Sequence, residues 1–305
     1  MNARAFFVAA DGRPHPPWRI LLFLLLCVAC IVVVTVSLGP VLAMTERVST
    51  IGGTASAYSV TLALLLAHWM TFRTFDRRPW SFVWLDRAAS RPKVLLFGCV
   101  LGTAPITIVS LLLVSVGLMS LQSAADGPWL RTAVQMLIVL VPAAFYEELL
   151  SRGYLFATIA EWLGRRSAVV LTSVGFGLLH LGNPGPNAMS IGVVILAGIY
   201  LAVVLLATQS LYAAWMAHWA WNWMMAAVLH VPVSGLPLAR PDYQIVETGP
   251  DWITGGSWGP EGGAGAAVGM LAGLAYLWWR SRIRPSSRGG SRVPAQRADE
   301  GHDDR

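Results

Sequence analysis

The sequence predicts an all-α polytopic membrane protein, with about eight transmembrane helices around a bundled core. Two observations predict it. Of 305 residues, 55% are hydrophobic and only 12% charged, whereas soluble proteins run near 45–50% apolar and about 25% charged. Several apolar runs also reach the roughly 18–20 residues that cross a bilayer. The distribution of arginine supplies an internal check. An ordinary soluble enzyme is excluded at this point.

The spans follow in order as Ile20–Val41, Ala55–Thr71, Val94–Met119, Thr132–Tyr146 with its continuation, Ser167–Leu181, Ile191–Ala207, Leu211–His230 and Gly265–Trp279. The first is too long for a cleaved signal peptide, and no small-residue cleavage site stands beside the expected turn at Gly39-Pro40. The second and fifth are short and somewhat polar.

Orientation comes from the connections. Arg4, Arg13 and Arg19 precede the first span, and Arg73, Arg77, Arg78, Arg87, Arg91 and Lys93 follow the second. Arg165 and Arg166 follow the fourth span, and Arg280, Arg282, Arg284 and Arg288 follow the last. These connections all fall on one side of an eight-span chain. The others are poor in arginine. The positive-inside rule then places both termini in the cytoplasm of a cell-membrane protein.

Along the chain this gives a cytoplasmic tail (1–19), N-terminal transmembrane helices (20–128) and a transmembrane core (129–230). An extracytoplasmic loop rich in Gly, Pro and Trp (231–264), a last helix (265–283) and a disordered tail (284–305) complete it. Trp252 and Trp258 in the loop are expected at the membrane interface.

The net charge of +6 does not point to nucleic acid, because the basic residues flank apolar runs and form no stripe interleaved with aromatics. Lys93 is the only lysine, an arginine bias read as codon usage of a bacterial genome. Cys27, Cys30 and Cys99 lie inside apolar runs and offer neither zinc spacing nor a disulfide framework.

Ionisable residues inside spans are functional candidates by default, since a charge in hydrocarbon costs several kcal/mol. Three groups stand out. The first is Tyr146-Glu147-Glu148-Leu149-Leu150-Ser151-Arg152. On a helix, Glu148 and Arg152 share a face and pair. Glu147 sits about 100° away and is left without that cation. An unneutralised buried carboxylate has a raised affinity for protons, which suits a general base. The plain alternative is a helix-end ion-pair cluster.

The second group is Phe176-Gly177-Leu178-Leu179-His180. A short turn at Gly164-Arg165 makes its helix antiparallel to the first. Glu147 and His180 stand about 16 residues either side of that turn, hence level at about 25 Å from it. Phe176, one turn before His180, walls the site. The third group is His218-Trp219-Ala220-Trp221-Asn222, in which His218 and Asn222 share a face and can donate to an oxyanion. Gluing helices together is their alternative role. His15, His68 and His230 belong to no such spaced motif and are set aside.

Together these groups resemble the CAAX protease and bacteriocin-processing family of intramembrane endopeptidases, the Rce1-like or Abi proteins. That family carries Glu-Glu-x-x-x-Arg, then Phe-x-x-x-His, then His-x-x-x-Asn or Asp. Here the counterparts are Glu147-Glu148 with Arg152, Phe176 with His180, and His218 with Asn222. The resemblance covers about residues 130–230. It implies peptide-bond hydrolysis in the membrane, with Glu147 and His180 activating water and His218 and Asn222 holding the tetrahedral intermediate. Glu148, Arg152 and Phe176 would shape the site.

The family is often labelled a metalloprotease. No cofactor is assigned, but a divalent zinc held by Glu147, His180 and His218 is a candidate. The partners expected are a membrane-associated peptide or protein substrate and the lipid bilayer, with no nucleic acid. Two other functions stay open, a non-catalytic scaffold or immunity protein of the same fold and a proton-coupled transporter.

Overall fold

In the computed structural model, residues 6–48, 54–124, 128–236 and 243–283 are described. The C-terminal tail from residue 284, with Arg284 and Arg288, lies outside them, as do Arg4 and Arg240. The described residues are dominated by nine long helices. They are α1 (Pro16–Val48), α2 (Thr54–Thr74), α3 (Pro92–Ser115), α4 (Trp129–Arg152), α5 (Tyr154–Leu163), α6 (Arg165–Leu179), α7 (Ala188–Thr208), α8 (Leu211–Trp223) and α9 (Ala264–Ile283).

Among the described residues, five stretches are long and apolar enough to cross a membrane: 16–39, 54–74, 92–115, 129–163 and 188–208. The other three expected spans coincide with α6, with α8 plus its π-helical extension Met224–Leu229, and with α9. Apolar side chains cover the outside; Leu25, Val28, Val36, Leu96, Leu111 and Leu130 are all more than half exposed. Aqueous solvent would disfavour such a surface, and lipid would not.

Several expectations change. Gly39-Pro40 does not end the first helix, which runs on to Val48. A proline forfeits one backbone hydrogen bond, a loss tolerated in apolar helices. The fourth span is not one continuous helix but breaks at Gly153, between α4 and α5. The otherwise helical chain also holds a two-stranded antiparallel sheet, β1 (Met119–Ser123) with β2 (Tyr243–Glu247), pairing Met119 with Glu247 and Ser123 with Tyr243. It ties the α3–α4 connection to the connection before α9. Trp252 is exposed, but Trp258 is buried at 1% exposure, packed under the turn at Gly235 rather than held at an interface.

Two devices place α8, the helix at the centre. The first is close approach. Gly98 and Gly102 on α3 face α8, where a Cβ at either position would run into the carbonyl oxygen of Ala213 or Ala217. Small residues four apart let helix backbones meet this way in membranes. We expect Gly102→Leu to remove the α3–α8 contact at about 3 kcal/mol. The readout is loss of the monodisperse protein in detergent, with Gly39→Leu, where a Cβ meets nothing within 4 Å, left unaffected.

The second device is a pair of indoles. Trp215 and Trp223 on α8 donate to the carbonyls of Val141 and Ala133 on α4 at 2.8 and 3.1 Å. The donors and acceptors are eight apart on each helix, so the pair fixes an antiparallel register. Thr61 on α2 also donates to Pro142 O of α4, at 3.0 Å.

At the arginine-bearing end, charges expected in loops turn inward. Arg19 and Asp76 are 4% and 1% exposed and pair at 2.7 Å. Arg19 also reaches Glu161 at 2.9 Å, and Arg78 pairs with the same carboxylate. The Tyr154 hydroxyl donates to Asp76 at 2.7 Å. His68, set aside on sequence, is fully buried; it donates from Nδ1 to Leu64 O and accepts the Tyr154 backbone N–H at Nε2. Each buried charge has an opposite partner, as burial requires. The network holds α1, α2 and α5 together just beyond the Gly153 break.

Candidate active site

The three groups singled out in the sequence meet in space. Glu147, Glu148 and Arg152 lie in the last two turns of α4. His180 caps the C-terminus of α6, and His218 and Asn222 lie on α8. The short α5 and the turn at Gly164 fold α6 back beside α4. Gly164 has φ of +85°, a conformation that favours glycine.

Glu148 is the hub of the buried side. One of its oxygens accepts from Arg152 Nη1 at 3.1 Å and faces His218 Nδ1 at 3.0 Å. Both Glu148 and Arg152 are 0% exposed. The other guanidinium nitrogen donates to Gly198 O on α7 at 2.8 Å. Gly198 packs directly on Ser173, with no room for a Cβ, so α6, α7 and the guanidinium are locked together. The guanidinium also lies over the Phe176 ring, 4.4 Å from its centroid, a cation–π contact favoured by desolvation. Phe176 in turn packs against both imidazoles, at 4.7 Å from His180 and 5.8 Å from His218.

Hydrogen bonding sets the face each imidazole presents. His180 Nδ1 lies 2.8 Å from Phe176 O, and a carbonyl only accepts, so Nδ1 carries the proton. His218 Nδ1 is held by the Glu148 carboxylate in the same way. Both Nε2 atoms therefore face inward, and both face Glu147 Oε2, at 3.9 Å for His180 and 3.8 Å for His218. That oxygen is buried and has no hydrogen-bond partner among the described residues, as is also true of Asn222 Oδ1. Rotating the Asn222 amide by 180° presents its NH2 at the same place.

Separations of 3.8 and 3.9 Å are too long for direct hydrogen bonds. They suit one small molecule shared between the atoms. A water at hydrogen-bond distance from both ends of such a gap sits about 2 Å off the line joining them.

Glu147, His180, His218 and Asn222 all line one cavity of about 590 Å³. It follows a single face of α4 through Met136, Leu140, Ala143 and Glu147. Two further contributors carry no signal in the sequence. Asn183, just beyond His180, and the turn Val233–Leu236 complete the wall. Both lie in connections that carry none of the three motifs.

A zinc ion at Glu147, His180 and His218 can be tested on spacing. Bonds of 2.0–2.1 Å in a tetrahedral shell bring ligand atoms to about 3.4 Å of one another. The Nε2–Oε2 separations are wider, and no three His, Cys, Asp or Glu among the described residues are grouped to hold a metal. The donor types suit zinc, but their placement does not fit a closed shell.

Comparison with known proteins follows the same residues. Residues 129–224 match the family of Rce1-like type II CAAX prenyl endopeptidases. This Rce1-like segment is about a third of the 305-residue chain and holds all three motifs. No curated protein and no solved structure matches the chain.

Proposed function

We propose that this chain, built around an Rce1-like segment, is an intramembrane endopeptidase that hydrolyses a peptide bond with water activated by Glu147 and His180. The observation that carries the reading is the convergence of two imidazole Nε2 atoms on one buried, unpaired oxygen of Glu147. A scaffold has no use for that arrangement, which leaves a carboxylate oxygen without a hydrogen-bond partner among the described residues.

In the proposed reaction the water donates one hydrogen bond to Glu147 and the other to His180 Nε2. Its oxygen attacks the carbonyl carbon of the scissile bond, and its proton passes to Glu147. The carbonyl becomes an oxyanion. Asn222 donates to it through its amide, and His218 donates through Nε2 when that ring carries its second proton. Glu148 supports that proton from the other side of the ring, at Nδ1. The proton taken up by Glu147 then moves to the leaving nitrogen. The carbon–nitrogen bond breaks, giving a carboxyl and an amine. No step runs through a metal.

The test is cleavage of membrane peptides by the protein reconstituted in vesicles. His180→Ala is expected to lower the rate by 10²–10⁴, the usual contribution of a positioned acid–base group. Near-wild-type cleavage by correctly folded His180→Ala and Glu147→Gln proteins would remove the proposal.

A further inference from the structure

The cavity is not symmetric about the membrane. From Met136 to Ser151, 15 helical steps or about 22 Å, one face of α4 lines the same cavity. Its two ends differ in chemistry. At one end the lining residues are Ser56 at the start of α2, Asn183 after α6, and Ser234 and Leu236 after α8. Ser56 and Leu236 are exposed, and Asn183 and Ser234 are half-buried. All four lie at helix ends remote from the arginine clusters: α2 runs on into Arg73–Arg91, α6 begins at Arg165, and α9 ends with Arg280 and Arg282.

At the other end the cavity is closed. Ser151 is buried, Arg152 is 0% exposed, and behind the Gly153 break lies the Tyr154–Asp76–Arg19 network. A peptide approaching from the arginine-bearing side would have to displace these paired charges.

The mouth itself is a built rim. Ser234 and Gly235 have φ of +48° and +80°, the pair of positive values that a tight mirror-image hairpin turn requires. Glu261 holds the turn by accepting from Ser234 N at 3.0 Å and from Ser234 Oγ at 2.6 Å. Asn183 donates to Ser234 O at 2.9 Å from the opposite wall. Around the rim, Leu179, Leu181 and Leu236 are 61%, 53% and 48% exposed. Glu261 and Ser234 lie outside the 129–224 match.

We infer that substrate enters this site from the arginine-poor, extracytoplasmic side, as an apolar extended stretch flanking a membrane-spanning segment. The inference deepens the endopeptidase reading and rests on it for the word substrate, though not for the side of entry. About 22 Å of groove takes six or seven residues of extended chain at 3.3 Å each. Met136, Val139, Leu140 and Ala143 offer that stretch an apolar wall before Glu147. The leucine-lined rim lets it slide in from the lipid of that leaflet without passing through water.

The test uses single cysteines in a protein whose Cys27, Cys30 and Cys99 are replaced. Ala143→Cys reports the cavity wall, Leu236→Cys the rim, and Arg87→Cys the arginine-bearing side. A small, charged, membrane-impermeant methanethiosulfonate is applied to intact cells and to inverted vesicles. Ala143→Cys is expected to react from the same side as Leu236→Cys and opposite to Arg87→Cys. Reaction from the Arg87→Cys side, or from neither, overturns the inference.

In a second arm, an apolar membrane peptide with its flank on the Leu236 side is added to the Glu147→Gln protein. It is expected to slow modification of Ala143→Cys about tenfold, while a polar peptide of equal length does not. Absence of protection by the apolar peptide overturns the substrate class. Neither arm requires cleavage, so a protein that labels as expected yet cuts nothing refutes the protease reading alone.

Discussion

Replacing Glu147 by glutamine is expected to abolish peptide-bond hydrolysis while leaving the fold intact. The amide keeps the size and the hydrogen-bonding reach of the carboxylate, but it cannot accept the proton of the attacking water. General-base catalysis contributes 10²–10⁴ in rate, so residual activity should fall to the limit of detection in a membrane assay. The fold survives because Glu147 makes no direct hydrogen bond among the described residues; the two imidazoles stand 3.8 and 3.9 Å from it. Glu148→Gln gives a contrasting result. It removes the partner of both Arg152 and His218 Nδ1, so activity and stability fall together. The check is the cleavage rate of each variant set beside its thermal unfolding in detergent.

The largest effect on stability is expected at Arg152. Its guanidinium is fully buried, bridges Glu148 and Gly198 O, and stacks on Phe176. Removing one partner of a buried ion pair leaves an uncompensated charge, at about 3–5 kcal/mol. Arg152→Met should therefore lower the unfolding midpoint by many degrees. Arg152→Met combined with Glu148→Gln should recover part of that loss, because the stranded charge is gone. A double variant no more stable than Arg152→Met would show that packing, and not charge, dominates there.

These two residues show how the sequence carried the site. Glu148 and Arg152 are four apart on one helix, so their pairing is local and legible. His180 became legible through the Gly164 turn, which sets its height relative to Glu147. The link from His218 to Glu148 was not legible. It joins residues 70 apart, and its geometry depends on the Gly98 and Gly102 contacts and the two indole hydrogen bonds that place α8. A Gly-x-x-x-Gly spacing was present in α3 as a signal for the first of these.

Charge was read less well at the span ends. Arg19 and Asp76 count as loop residues by composition, yet they are buried because each supplies the other's counter-charge. Residue type alone points Trp258 to an interface, but its ring packs inward against Gly235 and Gly262 of a glycine-rich turn. The rim at Ser234 and Glu261 carries no motif. Its role follows only from where the turn lands in space.

The most direct test of the account compares the peptide termini of membrane proteins in cells carrying the wild-type chain and cells carrying Glu147→Ala. A set of new termini, within or beside apolar segments, is expected with the wild type and lost with the variant. Identical termini in the two, with both proteins folded and inserted, would contradict it.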